Sequence, residues 1–402
     1  MKLLTYFGLT SLAGLLAIVV FFAIKKELPT QSMNAEMFRT RLDYLAERAI
    51  ADLTKIHFDS LQIPRTLKEN GKLKGTPSKS WTSGFYPGML WQLYSHSKNE
   101  KLKQAAIQWQ AVVEKEKWDS GTHDLGFKVY CPFGNAYKIT NEDKYKAVFL
   151  TAAKTLSTRY NPTIGAIRSW DHHADVWGYP VIIDNMMNLE MLFEATILSG
   201  DSSYYNIAKQ HAFTTLENHF RSDNSSYHVV DYDTLTGEVV NKHTHQGAHH
   251  ESAWSRGQAW GLYGYAVAYR YTHEEVFLQQ AKKIATFIFN HPNLPEDFIP
   301  YWDYNAPNIP DEPRDVSAAV IAASGLLELS IHDKENTSQY IGWVDQILNS
   351  LESKKYEFNT APFFLQHSVG SVPGASEIDA PIIYADYYYV ETLIKRLAQD
   401  DK

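Results

Sequence analysis

The chain has a single cysteine, Cys131, among 402 residues. That excludes an internal disulfide and every metal site built on paired cysteines. Cys131 lies in the apolar stretch VYCPFG, a setting that favours a small buried hydrophobe over a nucleophile. Positive charge is also scarce. Lys and Arg number 38 against 46 Asp and Glu, a net charge of −8. Without residues 1–30, which hold Lys2, Lys25, Lys26 and Glu27, the balance is 35 against 45, or −10. A body of that sign has no general basic field, so binding of nucleic acid through one is not expected. An acidic ligand has to be held by a few locally placed Arg or His side chains. Low-complexity tracts, evident linkers and an alternating strand pattern are all missing from about residue 33 onward.

One long apolar run is present. Residues 3–24, LLTYFGLTSLAGLLAIVVFFAI, precede Lys25-Lys26. The run is too long for an ordinary signal-peptide core and about long enough to span a bilayer as a helix. No clear small-x-small cleavage site follows it. The expectation is an N-terminal hydrophobic helix within 1–30, either a signal-anchor in the membrane or a cleaved signal peptide. The body, 31–402, is then exported, to the periplasm. Lysines flank the run on both sides, so charge orients it only weakly.

The body reads as helix after helix. Apolar residues recur at i, i+3, i+4 and i+7 over eleven stretches: 35–53, 83–97, 100–116, 143–160, 185–200, 202–220, 252–272, 274–290, 314–330, 337–352 and 379–398. Connections rich in Gly, Asn and Asp are short enough for antiparallel hairpins. Two kinds of helix alternate. RDVSAAVIAASGLLELS is small and apolar all round and belongs inside; EKLKQAAIQWQAVVEKE carries charge on one face and belongs outside. The fold class is all-α. Alternating inner and outer helices describe a toroid, although periodicity alone does not separate that from a solenoid.

Aromatics are abundant, with 10 Trp and 25 Tyr. Many stand where loops meet helices: Trp81, Phe85 and Tyr86; Trp170 and Trp177; Trp254 and Trp260; Tyr301 and Trp302. Flat C–H faces of sugars stack on such rings, so the cluster suits a carbohydrate pocket, while each ring singly also suits helix packing. His123-Asp124, in GTHDLGF, is a charged pair in an apolar loop. Asp184, in GYPVIIDNMMNLEML, opens a helix, where an Asp ordinarily caps backbone N–H groups. Two carboxylates brought together in a dry pocket can instead split their pKa values, leaving one protonated as an acid. The run HTHQGAHHESAWSRGQAWG holds four histidines but lacks HExxH or paired-Cys spacing, so no metal site is expected. Arg256 and Trp260 stand at i, i+4 and share a helix face. The Trp, Gly and Ala neighbours of Arg256 point it inward, where it could fork onto a carboxylate.

Taken in order, WTSGFYPGMLW, THDLGF, SWDHHADVWGYPVIIDNMMNLEML, THQG, WSRGQAWGLYG, RDVSAAVIAASGLLEL and YADYYYVETL resemble glycoside hydrolase family 88, the unsaturated glucuronyl hydrolases. The likeness runs from about residue 35 to 398. It implies an (α/α)6 barrel and hydration of the 4,5 double bond that polysaccharide lyases leave on a terminal uronate. Carried onto matching positions, it implies Asp184 as general acid and base and Asp124 as its partner. Trp81 and Trp260 are implied as stacking walls. His123, His228, Gln246 and Arg256 are implied as substrate binders. The implied partner is an anionic unsaturated oligosaccharide, with no metal or organic cofactor.

Family members differ in the polysaccharide they follow. Some that accept sulfated sugars carry Ser-x-x-Ser-x-Lys in a late loop; here Ser368 and Ser371 are present, but Pro373 stands in the Lys position. The rival readings are a rhamnogalacturonyl-type hydrolase with the same barrel and alkene chemistry, and a non-catalytic envelope receptor for carbohydrate.

Overall fold

The computed structural model describes residues 34–400. The apolar run at 3–24, and the 1–30 segment drawn from it, lie outside the described residues. The helices in chain order are α1 (Ala35–Asp52), α2 (Phe85–Ser97), α3 (Glu100–Val113), α4 (Asn135–Thr140), α5 (Asp143–Ser157) and α6 (Leu189–Ser199). They continue with α7 (Ser202–Asn218), α8 (Ser255–Thr272), α9 (Glu275–Phe289), α10 (Val316–His332), α11 (Thr337–Leu351) and α12 (Ile383–Asp400). A π-helical segment, Gly126–Gly134, runs directly into α4, and a 3-10 turn, Ile183–Asn188, runs into α6.

The even-numbered helices form a ring. Starting from α2, each packs on the next, with the π segment standing in for most of α4, and α12 returns to α2. The odd-numbered helices lie outside, each against its hairpin partner. This is the (α/α)6 barrel that the resemblance implies.

Composition explains which helix goes where. On α10, fifteen consecutive residues from Val316 to Ser330 are buried, as a helix enclosed on all sides requires. On α9 the buried residues are Phe277, Leu278, Gln280, Ala281, Ile284, Ala285, Ile288 and Phe289, a one-sided stripe. Each fully buried Leu, Ile or Phe contributes about 2 kcal/mol. Small residues let the inner ring close tightly: a Cβ on Gly325 of α10 would lie 3.0 Å from Tyr263 Cα of α8.

The connections are of two kinds, and the difference places the site. In four of the five connections from inner to outer helix, all but the one from α10 to α11, the chain uses one left-handed residue and one extended residue. Lys98-Asn99, Asn141-Glu142, Gly200-Asp201 and His273-Glu274 all follow this pattern, with φ between 53° and 75° at the first. The first residue closes the ending helix and the second begins the next. Going from outer to inner helix the loops are long, and they gather at the opposite end of the barrel.

Those long loops contain every strand among the described residues. β1 (Ile63–Leu67) pairs with β2 (Leu73–Thr76), and β3 (Tyr160–Asn161) with β4 (Ala166–Ile167). β5 (Pro180–Ile182), β6 (Val229–Tyr232) and β7 (Val239–His243) form an antiparallel sheet in that order. The sequence shows no strand pattern because pieces of two to five residues are too short to display alternation.

Candidate active site

Three of the long loops bring the candidate residues together. Asp124 stands just before the π segment, and its carbonyl accepts the Lys128 N–H at 2.8 Å. Asp184 follows β5 and sits in the first turn of the 3-10 helix. His228 stands just before β6. Pairing of Ile182 with Val229 in that sheet sets His228 beside Asp184, with the Ile183 N–H donating to the His228 carbonyl at 3.1 Å.

A direct contact joins the two aspartate segments. The Gly126 N–H donates to Asn188 Oδ1 at 2.8 Å. A Cβ on Gly126 would fall 2.5 Å from that oxygen and 2.9 Å from Asn188 Cα. Only glycine lets the backbone after Asp124 approach the turn after Asp184 this closely.

Asp124 and Asp184 line one cavity of about 290 Å³, together with Trp81, Phe127, Trp170 and Gln246. Their carboxyls differ sharply. Asp124 Oδ2 accepts the Thr122 hydroxyl at 2.6 Å, and Oδ1 lies 3.2 Å from His123 Nε2. Burial pushes the Asp124 carboxyl up, but the His123 imidazole, the Thr122 hydroxyl and Lys128 outweigh it and hold the group below the usual carboxylate value. Lys128 itself is buried between Asp119 at 2.6 Å and Glu116 at 3.1 Å.

Asp184 is 8% exposed, and its Oδ2 has no hydrogen-bond partner. The N-cap position falls on Ile182, and the backbone donor beside the Asp184 carboxyl is its own N–H, so Asp184 does not sit as the capping residue that an Asp at a helix start ordinarily is. Burial pushes its pKa up to about 6; His123 and Arg256 pull the other way, and the Asp124 charge adds to the rise. One carboxyl is ionised and the other is poised to hold a proton, the split that acid chemistry at neutral pH needs.

His228 supplies a third group. Its Nδ1 accepts the backbone N–H groups of His245 and Gln246 at 3.0 and 3.1 Å. Burial, then the nearby His245 and Arg256 charges, hold the ring far below its usual pKa and so neutral. The ring proton therefore sits on Nε2, which faces Asp184 Oδ2 at 3.7 Å and is otherwise unpartnered.

Two expected binders are placed differently from the sequence reading. Trp260 is fully buried and packs against Phe127 and Tyr388, with ring centroids 5.1 and 5.5 Å away. It lies one helical turn, about 6 Å, beyond Arg256 along α8, and it supports the cavity wall without offering a face to a ligand. Trp170 lines the cavity instead, although it too is mostly buried, at 9% exposed. Arg256 does border the cavity, but its Nη1 donates to Asp315 Oδ2 at 2.8 Å and to the Val369 carbonyl, and Nη2 donates to the Gly370 carbonyl at 2.7 Å. Its charge is matched by Asp315, so it does not present an open fork; Nε remains without a partner. Gln246 shares the strapping of this loop, donating to Gly370 O at 2.9 Å.

Sequence reasoning did not single out Thr122, Asn188 or Lys128, since each acts through a contact distant in the chain or unremarkable in type. Among the described residues no group of His, Cys, Asp and Glu is arranged to hold a metal ion.

Comparison with known proteins agrees with this architecture. A family model described as Glycosyl Hydrolase Family 88 matches residues 59–295. An unsaturated glucuronyl hydrolase from Formosa agariphila is 50% identical over 324 residues, 80% of either chain. The crystal structure of an unsaturated glucuronyl hydrolase specific for heparin superposes with a TM-score of 0.86 at 42% identity, covering 90% of this chain and 98% of that one. A mutant unsaturated glucuronyl hydrolase from Streptococcus agalactiae, complexed with dGlcA-GalNAc6S, superposes with a TM-score of 0.74 at 28% identity, covering 91% and 95%. With this fold, and with two split carboxyls at the mouth of its ring, the chain belongs to glycoside hydrolase family 88.

Proposed function

We propose that the protein hydrates the 4,5 double bond of an unsaturated glucuronyl residue at the non-reducing end of lyase-generated oligosaccharides. The observation that carries this reading is Asp184: a buried carboxyl, raised to about 6, that lines the same cavity as an ionised Asp124.

In the proposed reaction, protonated Asp184 delivers its proton to C4 of the vinyl ether. Positive charge develops on C5 and the ring oxygen, where ionised Asp124 stabilises it. Water attacks C5, and the Asp184 carboxylate takes the proton that water loses. The resulting hemiketal opens to a C5 ketone. The former ring oxygen becomes a hydroxyl on C1, and that hemiacetal collapses to release the neighbouring sugar. The Nε2–H of His228 steadies the Asp184 carboxylate in its ionised half of the cycle. Trp81 is the stacking face, Trp170 borders the cavity beneath His172, and Gln246, with the remaining N–H donors of Arg256, borders the uronate. Neither a metal nor an organic cofactor has a step in this scheme.

The test is direct. Incubation with lyase-generated disaccharides should abolish the ultraviolet absorbance of the conjugated alkene and yield the keto acid. Stable absorbance alongside measurable binding would point to a receptor. Preferential turnover of unsaturated galacturonyl-rhamnose would point to the rhamnogalacturonyl reading. Export through the apolar run at 3–24 is part of the same proposal. Cell fractionation separates an anchored from a released form, and recovery in the cytoplasm would refute export.

A further inference from the structure

The catalytic scheme leaves a second feature of the cavity unused. Beyond His228, away from Asp184, three more imidazoles line up toward solvent. His172 lies flat on Trp170, with centroids 4.8 Å apart and planes 16° from parallel. His173 stands against it edge-on at 4.7 Å. His245 is 5.1 Å from His173, 6.1 Å from His172 and 5.6 Å from Trp170. All three are exposed, and His172 and His245 border the same cavity as the aspartates.

Their placement is held rather than incidental. His173 adopts a left-handed backbone, φ 57°, a strained conformation for a residue with a Cβ. It is kept there by the Val176 and Trp177 N–H groups, which both donate to its carbonyl at 2.9 and 3.0 Å. The backbone of His245 is fixed through His228 Nδ1. None of the three rings makes a hydrogen bond, so each has an N–H to offer.

The charges around them frame what they could take. Asp171 beside His172 is engaged by Arg159 at 2.9 Å and Arg168 at 3.3 Å. Asp124 faces His172 from the cavity side and is bound by Thr122 and His123. Partial burial of the rings, then the neighbouring imidazoles, hold His172 and His245 below their usual pKa, and an anion beside them would favour their protonated forms. Among the described residues that border the cavity, Arg256 is the one Lys or Arg, and Asp315 already balances it. On the opposite wall Ser371 and Gly374 approach, and the nearby Pro373 brings no charge. Apart from His123 and Arg256, each already beside an aspartate, His172 and His245 are the cavity-lining side chains that can carry positive charge.

We propose that His172, His173 and His245 form a specificity subsite that binds an anionic substituent, sulfate ester or carboxylate, on the sugar next to the unsaturated uronate. The inference rests on the hydratase reading, and the measurement is a ratio so that the two stand or fall separately. Initial rates of alkene loss are compared for unsaturated disaccharides whose second sugar is neutral, sulfated or carboxylated. For the native protein, the anionic-to-neutral ratio of kcat/KM should rise severalfold from pH 7.5 to 5.5. The requirement for protonated Asp184 is common to all substrates and cancels in that ratio.

In the variants His172→Phe/His245→Phe, which keeps aromatic planes on Trp170, and His173→Ala, the ratio should drop about tenfold and lose its pH dependence. Loss confined to the sulfated or to the carboxylated substrate identifies which group the subsite takes. An unchanged ratio, or an equal loss on neutral and anionic substrates, overturns the proposal. Failure of the native protein on every substrate overturns the hydratase reading instead.

Discussion

Asp184 and Glu190 stand six residues apart on one wall of the inner ring, both largely enclosed, one in the 3-10 turn and the other in the first turn of α6 that follows it. Burial pushes both carboxyls up. At Glu190 the Lys138 ammonium at 3.2 Å and the Arg270 guanidinium at 2.8 Å reverse that push and bring the pKa down to about 2. Arg270 in turn binds Glu328 at 2.8 Å, so the closed end is a complete ion network. At the open end Asp184 Oδ2, His228 Nε2, Trp170 Nε1 and Arg256 Nε all lack partners. Enclosure is shared and partnership is not, so partnership decides which carboxyl keeps a proton. The polar groups left unmet beside Asp184 are what separate it from Glu190, whose carboxyl is paired.

The contrast can be broken from either side. Asp184→Asn removes the proton donor and should lower kcat by about a thousandfold or more, read by alkene absorbance. The same change should stabilise the fold with a definite pH signature. The folded pKa of Asp184, about 6, lies above the unfolded value of about 3.9. Its contribution is fully present below the unfolded value and lost as pH rises through 6. The variant's stability advantage should therefore grow from pH 4 to 6, by up to about 3 kcal/mol. Denaturant melts that keep the two proteins parallel across that window would refute the raised pKa.

Gly126→Ala should come next. The added methyl forces apart the Asp124 and Asp184 segments, and a displacement of about 1 Å can cost about a hundredfold in kcat. A normal rate in that variant would show that the Gly126–Asn188 contact does not set the catalytic geometry. The pH profile of the native protein gives a smaller effect. Since Asp184 must be protonated, kcat/KM should fall about tenfold per pH unit well above 6, and a flat profile to pH 8 would remove it as the acid. Glu190→Gln tests the closed end. It leaves Lys138 and Arg270 undercompensated and should cost about 1–3 kcal/mol, reduced from the fully buried case because the site is partly hydrated. Specific activity of the folded protein should stay within about twofold, and a large loss would mean that the two ends are coupled.

Much of the barrel was legible in the sequence, for a physical reason. Inner and outer helices bury different fractions of their surface, and that shows as a helix of mostly small and apolar residues at 316–330 against a one-sided stripe at 277–289. The residues that break the 3.6 period were not legible. Pro132 lacks an N–H and interrupts an α-helical register, so the π segment reads as loop, although it occupies an inner-ring position. Two- and three-residue strands carry no period to detect. Within the site, the motif positions of Asp124, Asp184, His228 and Gln246 do converge on one region. Trp260 does not reach the cavity, because sharing a face with Arg256 fixes direction around α8 and not depth along it. Arg256 was read as inward-facing, as it is, but nothing near it in the chain announces Asp315, its partner from the start of α10.

The π segment has a consequence for how this site can vary. An α-helical residue turns the chain by about 100°, and the wide turn between Asp124 and α4 holds more residues per revolution than an α-helix would. Removing one residue from 126–134 would rewind the segment and swing everything upstream of it, including the carboxyl of Asp124, out of phase with the ring. The constraint there is arithmetic: side chains can be exchanged, whereas the number of peptide units cannot change.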